Sequence, residues 1–377
     1  MPIPGLPDAA SAPHSFRVSL VMFVFRVFCF LFLGLCLSSI APDKAMAQNV
    51  LGGRLDALTG TPENPLEVGI GIRIDQITSV DQKAENYGAV VVLRVEWTDP
   101  ALAFDRAEIG RDIRVFNPPN LADHAADIGT ILPAFVIHNQ QSNKWIHESA
   151  ASLRYDGRVV YVEKSSLTLQ APHFDFRKYP FDTQEFHFEV VSIFPSDYVT
   201  YRPLEDYSGL GDLLGEEEWI LGNARLEATR VTGLSGRQSD QVALVFEGNR
   251  HLTYYVIRVF LPMLVLISVG WALFFLDEYR RRIEIAGGNL LVFVAFNWAI
   301  SADLPKLGYL TFLDFVLQCM FLMTGALIVF NVALRKLKVS GKEGAARTLD
   351  NYAIKWIYPL GYAAIVAYAV FAYLLVP

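Results

Sequence analysis

Residues 282–302 read RIEIAGGNLLVFVAFNWAISA, a run about as long as a helix that crosses a bilayer. Wound on a helix of period ~3.6, Glu284, Gly288, Leu291, Ala295, Trp298 and Ala302 fall on one stripe, by steps of four and three. The stripe opens on a carboxylate, narrows through small residues and a leucine, and closes on an aromatic before its last alanine. Even the milder insertion scales charge roughly 2.5–3.5 kcal/mol for an aspartate at the centre of a membrane helix. Glu284 therefore faces a partner, a cavity or water, unless it lies near enough to the cytoplasmic end to reach headgroups.

Outward from this run, the chain of 377 residues, 53% of them apolar, has room for two domains. Its apolar residues crowd at the two ends. Four candidate spans occupy about 254–276, 282–302, 309–333 and 353–375. The loop after the first holds Arg280, Arg281 and Arg282, and the loop after the third holds Arg335, Lys336, Lys338, Lys342 and Arg347. The short loop 303–308 between spans two and three has one acid and one base. Positive-inside bias then puts both basic loops in the cytoplasm, and the preceding domain and both termini outside.

The N-terminal apolar run, 18–40, has Arg17 before it and Ala45-Met46-Ala47 after it. It reads as a secretory signal, residues 1–47, cut after Ala47. Arg26 interrupts its apolar core, so a retained anchor is the competing reading. Cys29 and Cys36 would leave with the signal, and Cys319 alone cannot form an internal disulfide. A net charge of −7 argues against a nucleic-acid partner.

Residues 48–65, rich in Gly, Thr and Pro, read as a mobile lead-in. From 66 to 250 the pattern is that of short strands, with candidates at 68–74, 89–97, 158–169 and 186–193. Gly, Pro, Asn and Asp punctuate them, and the whole suggests an Ig-like all-β sandwich. Helical periodicity is scarce here; 121–128 is the nearest to it. The expected fold is thus an outer all-β sandwich, 66–250, followed by a four-helix membrane bundle, 251–377.

One run in the sandwich is more specific than the rest: Asp175-Phe176-Arg177-Lys178-Tyr179-Pro180-Phe181-Asp182-Thr183-Gln184. Pro180 lacks a ladder donor, and charges surround aromatics that need a surface to cover, so the run is a loop that docks on something. It resembles the signature D-[FL]-x-x-[FY]-P-[FL]-D-x-Q of the pentameric ligand-gated ion channels, the Cys-loop receptor family. The two cysteines bracketing that loop in animal receptors fall here on Pro172 and Phe186, a departure similar to the bacterial branch. Residues 79–85 before the strand ending at Trp97 resemble the family's first turn. Arg250, ahead of Pro262, resembles the arginine that ends its last strand. Ala295-Phe296-Asn297 and Asp303-Leu304-Pro305-Lys306 resemble the second membrane helix and following loop of bacterial members.

The resemblance implies a homopentamer around a central pore, in a bacterial inner membrane with the β domain outside. Each residue of the stripe then becomes a ring. Glu284 would form an acidic ring near the cytoplasmic mouth, and Leu291 and Trp298 apolar constrictions that gate by dewetting. Permeant monovalent ions would be cations on the strength of Glu284, although Arg280 and Arg281 stand where cation-selective relatives usually carry a Glu, which keeps an anion-selective channel open. Arg282 is read as paired or snorkelling at the helix end. Coupling between domains would involve Asp182, Arg250, Asp81, Glu85 and Pro305, with Gln82 standing where a third acid often occurs.

The family's agonist site lies between subunits and, in amine-gated members, is an aromatic cage built on cation–π attraction. The expected capping hairpin, 230–241, contains no aromatic. Phe135, Phe194 and Tyr198 can contribute from neighbouring loops, and Arg230, Arg237 and Asp240 suit an anionic or zwitterionic small molecule. Protons are the other option, through Glu85, although Phe293 replaces the second-span histidine of proton-gated members. The aromatics of the last span, Tyr352, Trp356, Tyr358, Tyr362, Tyr368 and Tyr373, read mostly as an interfacial belt in contact with membrane lipids.

Other classes fit less well. The histidines show no i,i+4 or Cys/His ligand spacing, and neither a phosphate loop nor a G-x-S-x-G occurs, so no enzyme, metal or cofactor is implied. A membrane-anchored periplasmic sensor without conduction needs the β domain but only one or two spans, and leaves the stripe on the second span unexplained. A transporter would show more spans and internal repeats.

Overall fold

The computed structural model describes residues 55, 57–212, 214, 219–233, 236–301 and 307–375. The signal peptide expected at 1–47, with Cys29 and Cys36, lies outside the described residues, as do Pro305 and the rest of 302–306.

Two sheets form the outer domain. In chain order the strands are β1 Leu66–Asp81, β2 Asn86–Thr98, β3 Ile113–Phe116, β4 Phe135–Ile137, β5 Trp145–Arg154, β6 Arg158–Gln170, β7 Thr183–Ser192, β8 Val199–Pro203, β9 Gly209–Leu210, β10 Trp219–Thr232 and β11 Gln238–Arg250. One sheet runs β3-β5-β6-β2-β1-β8, with β9 also on β1, and the other runs β10-β11-β7-β4. Alternation along the strands sends one face of each inward. Val68, Ile70, Ile72 and Ile74 of β1 and Phe186, Phe188 and Val190 of β7 are buried.

An aromatic cluster joins the sheets. Phe186 stacks on Phe246 at 5.2 Å and meets Tyr87 and Trp219 edge-on at 5.1 and 5.6 Å. Edge-to-face pairs of this kind are worth about 0.5–1.5 kcal/mol beyond their burial. Phe186 is thus fully enclosed by rings in the core. Gly71 on β1 is required by a close approach: a Cβ there would sit 2.7 Å from the Tyr207 ring, which covers the strand.

Two expectations need correction. Residues 57–65 carry contacts of their own: Leu58 is buried, and the carbonyl of Ala57 accepts from Ile131 N–H at 3.2 Å. A helix, α1 Pro118–Ile128, occupies the region expected to be without one. Its signals lie at the ends, with Pro118 in the first turn and Gly129 at φ 85° after the last, and Leu121 and Ala125 anchor it.

Among the described residues, four helices are long and apolar enough to cross a membrane: α2 Leu252–Phe275, α3 Tyr279–Ser301, α4 Phe312–Val339 and α5 Lys355–Leu375. Arg280, Arg281 and Arg282 belong to the first turns of α3 rather than to a loop. Three cations at a helix N-terminus oppose the macrodipole, and acid partners offset this: Arg280 pairs with Glu284 and Arg282 with Asp350. Helix α4 begins with a capping box between Thr311 and Asp314 and runs past its expected end to Val339, carrying Lys336 and Lys338 in its last turn, where the dipole favours them.

The bundle interior is partly polar. Tyr358 and Tyr362 are buried, which corrects their assignment to the interfacial belt. The Tyr358 hydroxyl donates to that of Tyr362 at 3.3 Å. A Cβ on Gly270 of α2 would lie 2.3 Å from the Tyr358 oxygen, so the absence of a side chain at 270 admits the phenol. Tyr373 also turns inward, packing on Phe315 and Phe312 at 5.7 and 6.4 Å, whereas Trp356 and Tyr368 stay exposed as expected.

Candidate functional site

Helix α3 has two opposed faces. Arg282, Ala286, Asn289 and Phe293, spaced by four, three and four, are buried against the rest of the chain. The Asn289 amide donates to the Leu266 carbonyl on α2 at 3.1 Å, and Phe293 lies 6.5 Å from Phe321 of α4. Arg282 is 3% exposed and reaches Asp350 through two bonds of 2.7 and 3.0 Å, with further bonds to the carbonyls of Leu276 and Phe274 at 2.6 and 2.9 Å. Removing one partner of such a buried pair costs about 3–5 kcal/mol, because the other charge is left uncompensated.

Glu284, Gly288, Leu291, Ala295 and Trp298 all stand on the face turned away from the other three helices. Leu291 is 72% exposed and Trp298 79%. A wide leucine and a tryptophan left bare on one line call for something beyond this single chain to cover or enclose them. The Glu284 carboxylate accepts from Arg280 Nε at 3.1 Å, with both side chains mostly exposed. Such an i,i+4 pair is worth about 0.3–0.5 kcal/mol and leaves both groups free to exchange partners.

A second constellation lies where the outer domain meets the membrane helices. The Arg250 guanidinium donates to both Asp182 oxygens, at 2.9 and 3.0 Å, with both side chains buried. Trp219 and Tyr179 hold it by cation–π contacts at 4.2 and 4.7 Å, and Tyr255 Oη accepts a further bond at 3.2 Å. Burial works against the Arg250 charge, but the Asp182 carboxylate overrides it and raises the pKa above its ordinary value. Gln184 fastens the loop 172–182 to itself, accepting from Asp175 N–H at 2.8 Å and donating to Asp175 O at 2.9 Å.

From this braced loop four contacts reach α2, α4 and the residues just before α4. Phe181 stacks on Phe260 of α2 at 6.0 Å and meets Phe312 of α4 edge-on at 5.5 Å. The Arg177 carbonyl accepts from Phe312 N–H at 2.8 Å, and Phe176 N–H donates to the Tyr309 hydroxyl at 3.2 Å. The aromatics of the loop thus find their cover at Phe260 and at residues 309–312. Asp81 caps its own turn, accepting from Lys83 and Ala84 N–H at 3.0 and 2.9 Å, and Glu85 adopts a left-handed φ of 49°. Reading for charge alone missed Trp219, Tyr179 and Asp350; no sequence spacing relates them to the arginines they hold.

The residues expected at an agonist site separate into two kinds. Phe194 is a buried core residue, and Asp240 is occupied by structure: it accepts from Arg230 Nε at 3.2 Å and from Tyr201 N–H at 2.9 Å. Arg237 bonds Asp197 and lies 6.0 Å from the Tyr198 ring. Phe135 pairs with Ser192 across β4 and β7 and faces Tyr161 at 6.3 Å and Lys144 at 5.8 Å. Tyr161 in turn donates to the buried Glu163 at 2.5 Å, and Lys144 pairs with the same carboxylate at 2.6 Å.

A β-sandwich domain whose signature loop is docked on two of four membrane-crossing helices is the build of a ligand-gated ion-channel subunit. The model of the neurotransmitter-gated ion-channel ligand binding domain matches residues 58–250. The chain belongs to that family, and is a membrane protein with an extracellular ligand-binding domain. It is 24% identical over 291 residues to a proton-gated ion channel of Gloeobacter violaceus, covering 77% of this chain and 78% of that one. It is also 24% identical over 337 residues to a gamma-aminobutyric acid receptor subunit beta-like of Drosophila melanogaster, and 24% over 283 residues to gamma-aminobutyric acid receptor subunit rho-3 of Homo sapiens. These matches cover 81% and 71% of this chain but 66% and 56% of the receptor subunits.

Proposed function

We propose that five copies of this chain enclose a cation-selective pore in a bacterial inner membrane, opened by a small extracellular ligand or by protons. Residues 1–47 would be removed on export, and both termini would lie on the side of the sandwich. The single observation that carries the reading is the split of α3. One face is bonded into its own bundle by Arg282 and Asn289, and the opposite face offers Glu284, Leu291 and Trp298 to whatever lies outside the chain. Around an axis that face becomes a water-filled lining with an acidic ring at one end and apolar constrictions beyond it.

Protons as the opening stimulus draw on the likeness to a proton-gated channel, and on the internal pairing of Arg230 with Asp240 and Arg237 with Asp197 at the hairpin. Asp182 and Arg250 would couple the outer domain to α2 and α4, and Asp81, Glu85 and Pro305 would take part in that coupling. The test replaces Cys319 by serine and introduces single cysteines at 284, 288, 291, 295 and 298. Water-soluble thiol reagents should block current from each. Reaction confined to 286, 289 and 293 would defeat the reading.

Anion selectivity is the second reading, favoured by the Arg280–Glu284 pair, which offsets the carboxylate charge in each subunit. Reversal potentials in a NaCl gradient separate the two.

A further inference from the structure

On β7 the residues 185, 187 and 189 alternate outward while Phe186, Phe188 and Val190 enter the core. Period-two geometry therefore stacks His187 and Glu189 on one face of the strand. His173, from the turn that follows β6, comes back over them, its ring 4.6 Å from that of His187. One donor atom from each of His173, His187 and Glu189 lies within 4.8 Å of the other two.

Nε2 of His187 is buried and has no hydrogen-bond partner. Its nearest acid, Glu185 Oε2, stands 3.8 Å away, beyond hydrogen-bond reach, while the other Glu185 oxygen accepts from Arg225 at 2.8 Å. A buried ring nitrogen left without a partner is costly unless something supplies one. The backbone beneath it is fixed, since the His187 carbonyl accepts from Tyr87 Oη at 2.6 Å and from Asn139 Nδ2 at 2.7 Å. Glu189 N–H donates to the Asn139 side chain at 3.3 Å.

We infer that His173, His187 and Glu189 form a binding site for a divalent transition metal, with zinc as the occupant. Two imidazoles and one carboxylate make a zinc donor set with a fourth position open to water. Hard cations such as calcium and magnesium prefer all-oxygen cages and are disfavoured by two nitrogen donors. Tetrahedral bonds of 2.0–2.1 Å place donors about 3.4 Å apart, so the widest separation here closes by about 1.4 Å, within reach of side-chain rotation. The bound metal would tie the turn after β6 to β7, fastening together the two ends of the loop that docks on Phe260 and Phe312.

The test uses the full chain, purified in nanodiscs, stripped with chelator and titrated with Zn²⁺ by calorimetry. Saturable binding of one ion per subunit, with Kd on the order of micromolar or tighter, is expected. His173→Ala removes an exposed side chain and Glu189→Gln preserves shape, so both variants should fold. Each should weaken binding by at least about tenfold, while His138→Ala should not. X-ray absorption should show zinc bound by nitrogen and oxygen at about 2.0–2.1 Å. Absence of saturable binding below millimolar Zn²⁺, or equal affinity in both variants and the unaltered chain, would overturn the proposal.

Discussion

Arg250 and Asp182 meet through two parallel hydrogen bonds, at 2.9 and 3.0 Å, with the arginine side chain fully excluded from solvent. Arg250 ends the last strand of the sandwich immediately before α2, and Asp182 ends the loop that rests on α2 and α4. The pair therefore ties together the two points at which the outer domain is joined to the membrane helices.

Breaking it should be expensive. Arg250→Ala leaves a buried carboxylate without its mate, and Asp182→Ala leaves a buried guanidinium; each should destabilise the fold by about 3–5 kcal/mol. Thermal unfolding of the purified protein and whole-cell current are the measurements. Normal currents from Arg250→Ala would refute the coupling role. Arg250→Lys should retain charge but lose the two-point geometry and most of the coupling.

Leu291→Ser replaces the bare leucine of the α3 face by a residue that holds water. Wetting of an apolar constriction should open the channel or shift its dose-response to lower stimulus. An unchanged dose-response would exclude Leu291 as the gate.

Glu284→Gln removes the carboxylate and frees Arg280 from its 3.1 Å partner. The reversal potential in a NaCl gradient should move toward chloride, and Arg280→Gln should leave cation preference intact or stronger. The opposite pair of shifts would favour the anion reading.

Gly270→Ala drives a methyl to within 2.3 Å of the Tyr358 hydroxyl. Overpacking of this kind costs about 1–3 kcal/mol, read as a lower thermal midpoint. Tyr358→Phe in the same chain removes the oxygen and leaves the ring carbon 3.3 Å from the new methyl, so the double variant should recover much of the loss. A double variant as unstable as Gly270→Ala alone would show that the clash lies elsewhere.

The large features were legible because they rest on periodicity. Alternation marked β1, β2, β6 and β7, and hydropathy marked all four spans, with ends displaced by a few residues. The stripe on α3 was legible for the same reason, since steps of four and three fix which residues share a face. What escaped was pairing between distant residues. Nothing in the neighbourhood of Arg282 announces Asp350, and the burial of Phe194 and the bonding of Asp240 depend on partners far away in the chain. Helical or Cys/His spacing does not reveal this cluster, because His187 and Glu189 share a face by the strand's period of two and His173 joins them across a loop. Tyr358 and Tyr362 carry the composition of a membrane belt; only helix packing turns them inward.

Two anchors on α3 set how it can move. Arg282 clamps its inner end to the segment before α5, and Asn289 hooks its middle to α2, while beyond Phe293 the described residues of its buried face are less enclosed. A rod held at the base and waist swings most at its free tip. Opening should therefore displace Trp298 far more than Glu284, in the manner of petals hinged at the stem, and spin labels at the two positions should widen unequally. Equal widening would mean that the helix slides whole.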